Sequence, residues 1–321
     1  MLRVICLAIF ALLACKADAV KESPEKNESE TIQSLSVVGT QLVDEGGSPL
    51  VLRGVSFGWH NWWPRFYNEE VVSWLKEDWG VNVVRAAMGV EPAGAYLSQS
   101  DWSKEKIEAV VEAAIAADIY VIIDWHSHHI FTEDAKAFFQ EMARKYGEHP
   151  HVIYEIYNEP VDDTWAEVKA YSEEVIRAIR EIDPDNLILI GSPHWDQDIH
   201  LAADDPIVGF DNLMYTLHFY AATHKKFLRD KADYALDKGL PLFVSECAAM
   251  EATGNGPIDQ KSWTDWHSWM EKNQLSWLTW SVSDKDETCS MLKPSASSKG
   301  NWKATDLKEW AILTKSYLKT E

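Results

Sequence analysis

Cysteine is scarce in this 321-residue chain: positions 6, 15, 247 and 289 hold all four, with no Cys-x-x-Cys spacing. That excludes a thiolate zinc site and a dithiol redox motif. No Gly-rich phosphate loop follows any apolar run, which argues against a nucleotide-binding open sheet. Positive charge is short as well. Thirty Lys and Arg face 51 Asp and Glu, a formal net charge of −21. Such a surface excludes nucleic acid and anionic membranes as partners and suits a neutral or cationic one.

No apolar run reads as a membrane span; the one at the N-terminus, MLRVICLAIFALLAC (1–15), is too short and carries a single positive charge at Arg3. Residues 1–19 read as an export signal, which makes the protein secreted or an outer-surface lipoprotein. Leu-Leu-Ala-Cys is similar to a lipobox, with Cys15 as the lipid anchor, and Ala17-Asp18-Ala19 is a competing A-x-A cleavage site. Residues 20–34 are polar and charged and read as a flexible tether. The domain that follows, 35–321, keeps only Cys247 and Cys289, either paired or as two buried thiols.

What the chain does have is apolar and aromatic mass. Hydrophobic residues make up 46%, enough for a sizeable core, and there are 16 tryptophans. A core accounts for about half of these, since a buried indole needs a partner for its N–H. The rest suit stacking platforms for flat apolar faces such as those of sugars.

After Leu35, short apolar runs recur at fairly even intervals: 51–57, 81–88, 120–126, 152–159, 187–193, 214–220, 241–247 and 276–282. Helical periodicity fills the gaps. KEKIEAVVEAAIAAD (104–118) puts Ile107, Val110, Val111, Ala114 and Ile115 on one stripe, and TEDAKAFFQEMARKYG spans 132–147. Thr164 to Glu167 is a capping box. Eight strand–helix units predict an α/β chain folded as a (β/α)8 TIM barrel. The segment before the first run, 36–54, reads as a short hairpin with Gly46-Gly47 at its turn, capping the lower end.

Barrels of this kind carry their chemistry at the C-terminal strand ends. Those ends hold Arg85, His126, Asn158, Glu159, His218, Tyr220, Glu246 and, just inside the last strand, Trp280. Each alone has a structural explanation; six strands converging with such groups do not, because buried polar groups need partners. Glu159 and Glu246, on the fourth and seventh strands, face each other across the mouth. Two carboxylates flanking one bond are what glycoside cleavage requires.

At this point the chain resembles glycoside hydrolase family 5, in particular its bacterial endo-β-1,4-glucanase (cellulase) branch. The resemblance rests on VVRAAM (83–88), YVIIDWH, VIYEIYNEP, HWDQDIH (194–200), MYTLHFYAATH, LFVSE (242–246) and WSVSDKDET (280–288), in order along nearly the whole domain. It implies a retaining reaction on internal β-1,4 bonds of cellulose-type glucan, with Glu159 as acid/base and Glu246 as nucleophile. It also implies that Arg85 and Tyr220 keep Glu246 ionised, that His218 orients Glu159, and that His126, Asn158 and Trp280 contact the sugar at the cleavage point. Trp62, Trp195, Lys285 and Glu287 match positions that line the groove. No cofactor, metal or protein partner is implied, and a monomer is expected. The chain departs from the branch's usual pattern at Gly58, with His60 two positions on, at Gly89, and at Cys247-Ala248.

Glucomannan, mannan or xyloglucan would suit the same mechanism. Two rival readings come from other classes. Asp124, His126 and His128 alternate along one face and would suit a metal-dependent barrel hydrolase. A tethered, Trp-rich barrel would also suit a non-catalytic polysaccharide-binding surface protein.

Overall fold

The computed structural model describes residues 32–319. The export signal and most of the tether lie outside these residues. Ile32, Gln33 and Ser34, read as the tether's end, are fastened to the domain. The Ile32 amide donates to Asp118, the Tyr120 hydroxyl to the Gln33 carbonyl, and the Ser34 amide to Glu45.

Two antiparallel strands come first, β1 (Ser36–Val38) and β2 (Gln41–Val43). Their turn is Gly39-Thr40, with Gly39 at φ 61°, and not Gly46-Gly47 as expected. The double glycine sits in a second turn, between Val43 and its bridge partner Pro49. Two turn signals seven residues apart compete here, and the glycine nearer the β-branched pair closes the hairpin.

Eight strands then close into an all-parallel barrel: β3 (Arg53–Phe57), β4 (Val83–Gly89), β5 (Tyr120–His126), β6 (Val152–Glu155), β7 (Ile188–Ile190), β8 (Leu213–Tyr220), β9 (Leu242–Ala248) and β10 (Trp277–Val282). β10 pairs with β3 to complete the ring. The outer helices are α1 (Glu69–Trp74), α2 (Ser100–Ala116), α3 (Thr132–Tyr146), α4 (Trp165–Arg180), α6 (Ile199–Asp204), α7 (Lys226–Asp237), α8 (Gln260–Lys272) and α9 (Glu309–Leu318). A short turn after β7, Pro193–Asp196, is α5. The capping box at α4 forms as expected, Thr164 and Glu167 each bonding the other's backbone N–H.

Side-chain alternation along the strands builds two layers inside the barrel. The lower layer is apolar: Val83, Ile122, Ile153, Leu189, Met214, Phe243 and Leu278 pack with Leu35 and Leu42 from the hairpin segment. The hairpin therefore does cap the lower end. Two residues further along five of these strands the inward positions turn polar, at Arg85, Asp124, Glu155, Thr216 and Ser245, all fully buried.

Two strands depart from the sequence reading in ways that shape the mouth. β6 ends at Glu155, and residues 156–159 run on irregularly beside β5, with the Asn158 amide donating to the Trp125 carbonyl and the Glu159 amide to that of Ser127. β9 carries one extra residue against both neighbours: Thr216 pairs with Phe243 but His218 with Glu246, and Trp277 with Val244 but Thr279 with Cys247. Such a bulge re-aims side chains. It turns Ser245 and Glu246, consecutive residues, into the same interior.

Candidate active site

Arg85 is the hub of the polar layer. Its Nε and Nη2 fork onto Glu155 at 2.7 and 3.1 Å, and Nη1 donates to Ser56 Oγ at 3.3 Å and Glu246 Oε2 at 3.2 Å. Nη2 also donates to Asn158 Oδ1 at 2.6 Å and lies 3.0 Å from Asp124 Oδ2. The expected Arg85–Glu246 contact is present, but the bidentate pair is with Glu155. Burial opposes ionisation of Glu155, and Arg85 and His218 overcome it and hold its carboxyl low.

Glu246 lies above this layer. The Tyr220 hydroxyl donates to its Oε1 at 2.8 Å. Burial and the charge of Glu159 push the Glu246 carboxyl up, against the opposing pull of His218, Arg85 and Tyr220. Glu159 faces the opposite balance. Burial raises it, but hydrogen bonds from His128 at 3.3 Å and His218 at 2.9 Å prevail and bring it down to about 2. Oxygens of the two carboxylates approach within 4.8 Å of each other and of a His218 ring nitrogen.

His218 joins the two layers. Its Nδ1 meets Glu159, and its Nε2 lies 2.9 Å from Ser245 Oγ, whose hydroxyl donates to Glu155 Oε1 at 2.7 Å. With its one proton turned to Glu155, Ser245 accepts from Nε2, so Nε2 carries a hydrogen. His126 is fixed in a different way. Its Nδ1 is 2.7 Å from Asp124 Oδ2, and burial and Arg85 push its pKa well down. Asn158 Nδ2 is buried and has no protein partner.

Aromatic rings extend the site to both sides. On one side, Trp280 stacks on His126 at 5.2 Å between centroids, Trp59 meets His126 edge-on at 4.3 Å, and Trp59 and Trp62 stack at 4.8 Å. These rings, with Lys285 and Glu287, line a hollow of about 290 Å³. On the other side Trp195, His194 and Asp198 line a hollow of about 680 Å³. Glu159, Tyr220 and Glu246 border both hollows, so the carboxylate pair sits at the middle of one open cleft. Among the tryptophans only Trp62 and Trp195 are exposed, and both line it.

Trp195 stands on an unusual turn. His194, Trp195 and Asp196 all have left-handed backbone, with φ of 54°, 54° and 59°. For residues other than glycine each such conformation costs about 1–2 kcal/mol. The Trp195 amide bonds to the carbonyl of Pro160, beside Glu159, which ties the turn to the carboxylate.

Every residue expected at the site is at the cleft or directly beneath it. Sequence reasoning missed five neighbours: Trp59, His128 as a partner of Glu159, Glu155, Ser245 and Asp196. Glu155 had a signal, since it lies an even number of residues before Glu159 in an alternating run. His60, two positions on from Gly58, is buried, its Nδ1 accepting from the Gly89 amide and its Nε2 bonded to Ser103. A Cβ on Gly89 would lie 2.7 Å from the Trp59 ring, so this glycine makes room for that platform.

The Asp124–His126–His128 reading of a metal centre does not hold. Arg85 and His126 both face Asp124 Oδ2, while His128 points to Glu159. Two other carboxylate–histidine groups converge, Glu155/Asp196/His218 and Glu159/His218/Glu246. Neither is a ligand set. Arg85 and Ser245 occupy Glu155, Ser192 and Thr216 occupy Asp196, and both His218 nitrogens are hydrogen-bonded.

The family model for cellulase, glycosyl hydrolase family 5, matches residues 43–286. The chain belongs to glycosyl hydrolase family 5. Within the family it is 46% identical to Endoglucanase Z of Dickeya dadantii over 274 residues, 84% of this chain and 64% of that one. It is 43% identical to an endoglucanase of Clostridium saccharobutylicum over 288 residues, 88% of this chain and 64% of that one. The chain thus spans just under two thirds of the length of these relatives. The catalytic domain of Thermobifida fusca endoglucanase Cel5A, solved with cellotetraose, superposes with a TM-score of 0.84 at 30% identity, covering 90% of this chain and 98% of that domain.

Proposed function

We propose that this family 5 barrel is an endo-acting β-1,4-glucanase that cleaves with retention of configuration. The observation that carries the reading is the carboxylate pair itself. Glu159 and Glu246 come within 4.8 Å at the centre of a cleft open on both sides. Retaining glycosidases hold their carboxyls about 5–5.5 Å apart, and inverting ones wider by a water's width. The relatives named endoglucanase, and the neighbour that holds cellotetraose, support a glucan in this cleft.

In the first step Glu246 attacks the anomeric carbon while Glu159 gives its proton to the departing glycosidic oxygen. Tyr220 and Arg85 hold the attacking carboxylate and aim it. In the second step Glu159, now ionised, takes a proton from a water whose oxygen attacks the anomeric carbon, and Glu246 leaves as the carboxylate. Asn158 Nδ2, without a protein partner, is placed to donate to a sugar hydroxyl, and Trp280 backs the ring. Trp62, Lys285 and Glu287 receive the chain on one side and Trp195 on the other.

The charges of the site look reversed for this chemistry, with Glu159 low and Glu246 raised. The two are coupled through one proton. Nδ1 of His218 and Oε1 of Glu159 share it across 2.9 Å. When a glycosidic oxygen and a sugar ring displace water from Glu159, the neutral acid becomes the better state for a desolvated carboxyl. Moving the proton from Nδ1 to Oε1 removes the negative charge of Glu159, which raises Glu246, together with the positive charge of His218, whose opposing pull on Glu246 is the smaller of the two. The nucleophile therefore ionises as the acid is loaded.

Reducing-sugar release from carboxymethylcellulose, barley β-glucan, glucomannan, galactomannan, xyloglucan and xylan tests the reading. Release from the first two, lost in Glu159→Gln and Glu246→Gln, is the expected result. Preference for a mannan or xyloglucan would move the substrate and leave the mechanism. Folded protein that releases nothing would overturn the reading in favour of a binding protein. Export is part of the same proposal, supported by the pattern of residues 1–19. The mass of the mature N-terminus separates a lipidated Cys15 from cleavage after Ala19.

A further inference from the structure

Beneath His218, on the side away from the cleft, lies a carboxylate to which the mechanism above gives no role. Asp196 is fully buried. Its Oδ1 accepts from the Ser192 amide at 2.6 Å, its Oδ2 from the Thr216 hydroxyl at 2.6 Å, and Oδ2 is 3.4 Å from His218 Nε2. Three consecutive left-handed residues, none of them glycine, put it there. The same turn raises Trp195 into the cleft and is bonded to Pro160. Solvent contact does not explain the carboxylate, and Thr216, already within reach of the Ile190 carbonyl at 3.1 Å, does not need it.

We propose that Asp196 is a positioning residue for the glycosidase reaction: its carboxylate, wedged against Nε2 of His218, keeps a proton on the His218–Glu159 couple and so keeps the acid loaded. The inference rests on the glycosidase reading and adds to it the group that sets the proton supply. With Nε2–H fixed by Ser245, the couple has one movable proton, on Nδ1 or on Oε1. In either place, losing it leaves an extra negative charge on the couple, next to a buried carboxylate. Asp196 makes that loss harder and extends the active form to higher pH.

Several charged groups face His218 together. Asp196 comes from α5, Glu155 from the end of β6, Glu159 from the segment after it, and Glu246 from β9. Arg85 answers Glu155, and His128 answers Glu159. His126 acts on His218 as a further cation when protonated, and His224 and Lys231 border the same hollow. Asp196 is the acid in this set whose only ion pair is with His218, and Glu159 and Glu155 are its nearest like charges. Burial lowers the His218 pKa and the acids, Asp196 foremost, raise it well above the ordinary value. Burial in turn drives the Asp196 carboxyl well above its ordinary value, and the His218 imidazolium, the Thr216 hydroxyl and the Ser192 amide pull against that rise.

The test uses Asp196→Asn, which keeps the Oδ1 acceptor for the Ser192 amide, leaves the Thr216 hydroxyl to the Ile190 carbonyl, and removes the charge. An opposite charge at this range moves a pKa by about 1–3 units. The basic limb of kcat/KM on a soluble β-glucan is expected to move to lower pH by at least about one unit, with KM little changed. Nitrogen-15 NMR of His218 in the full chain reads the same shift without any turnover. A limb and a His218 titration that superimpose on wild type would overturn the proposal. If Asp196→Asn fails to fold, the wild type decides alone: nitrogen-15 spectra of His218 and carbon-13 spectra of Glu159 must show the couple's proton on one of the two up to the pH of the basic limb, and an earlier loss from both refutes the idea. An inactive wild type on every glucan would instead sink the glycosidase reading, and the NMR result would stand apart from it.

Discussion

Replacing Tyr220 by phenylalanine removes one atom, the hydroxyl that donates to Glu246 Oε1 at 2.8 Å. The ring stays, so the barrel wall is unchanged. A hydrogen bond to a charged group is worth about 1.5–3 kcal/mol. Converted to rate, that is about a 10- to 150-fold loss in kcat/KM. The nucleophile also loses one of the groups holding its pKa down, against burial and Glu159, which hold it up. Glu246 must be ionised to attack, so a higher pKa moves the acid limb of the profile to higher pH. Dinitrophenyl β-cellobioside makes the assay specific, because its leaving group needs no proton from Glu159. Tyr220→Phe should be slow on this substrate as on glucan, whereas a fault in the acid would show only on glucan. A Tyr220→Phe enzyme within twofold of wild type, with an unmoved acid limb, would refute the reasoning.

Three further outcomes follow from the same geometry. Glu159→Gln should still form the glycosyl-enzyme from the dinitrophenyl substrate and then stall; added azide, which needs no base, should restore turnover and give a glycosyl azide. Arg85→Met leaves Glu155 and Asp124 buried without their cation, a change that costs about 3–5 kcal/mol. Denaturant melting should show the loss, and an unchanged midpoint would mean that the cluster is neutralised some other way. Gly89→Ala places a Cβ 2.7 Å from Trp59 Cε3 and Asn61 Oδ1, so the ring must move. KM for long β-glucan should rise several-fold while the dinitrophenyl substrate changes less, and unchanged KM would remove Trp59 from the groove.

The barrel was legible because its signals are local and repeated: apolar runs of strand length, capped helical stripes between them, and polar residues at the run ends. Glu159 and Glu246 stood out as carboxylates where core residues ought to stop. What lay hidden depends on register. Strict alternation with Phe243 inside would turn Glu246 outward, and only the bulge in β9, visible from pairing with β8 and β10, brings Ser245 and Glu246 inside together. Asp196 was hidden for a related reason, since no propensity rule puts three left-handed residues in a row at His194, Trp195 and Asp196. His128 looked like a metal ligand because it alternates with Asp124 and His126, yet the chain has left β5 by then and the ring swings to Glu159. The hairpin turn went to Gly39 over Gly46-Gly47, a choice between two adequate turns that sequence alone does not rank.

Trapping the intermediate tests the central claim most directly. The intact protein, incubated with a 2-deoxy-2-fluoro cellobiosyl fluoride, should gain the mass of one 2-deoxy-2-fluorocellobiosyl group, and the label should map to the Glu246 side chain in the LFVSE segment. A label on Glu159, or rapid turnover to product of inverted configuration with no adduct, would contradict the assignment of nucleophile and acid on which the account rests.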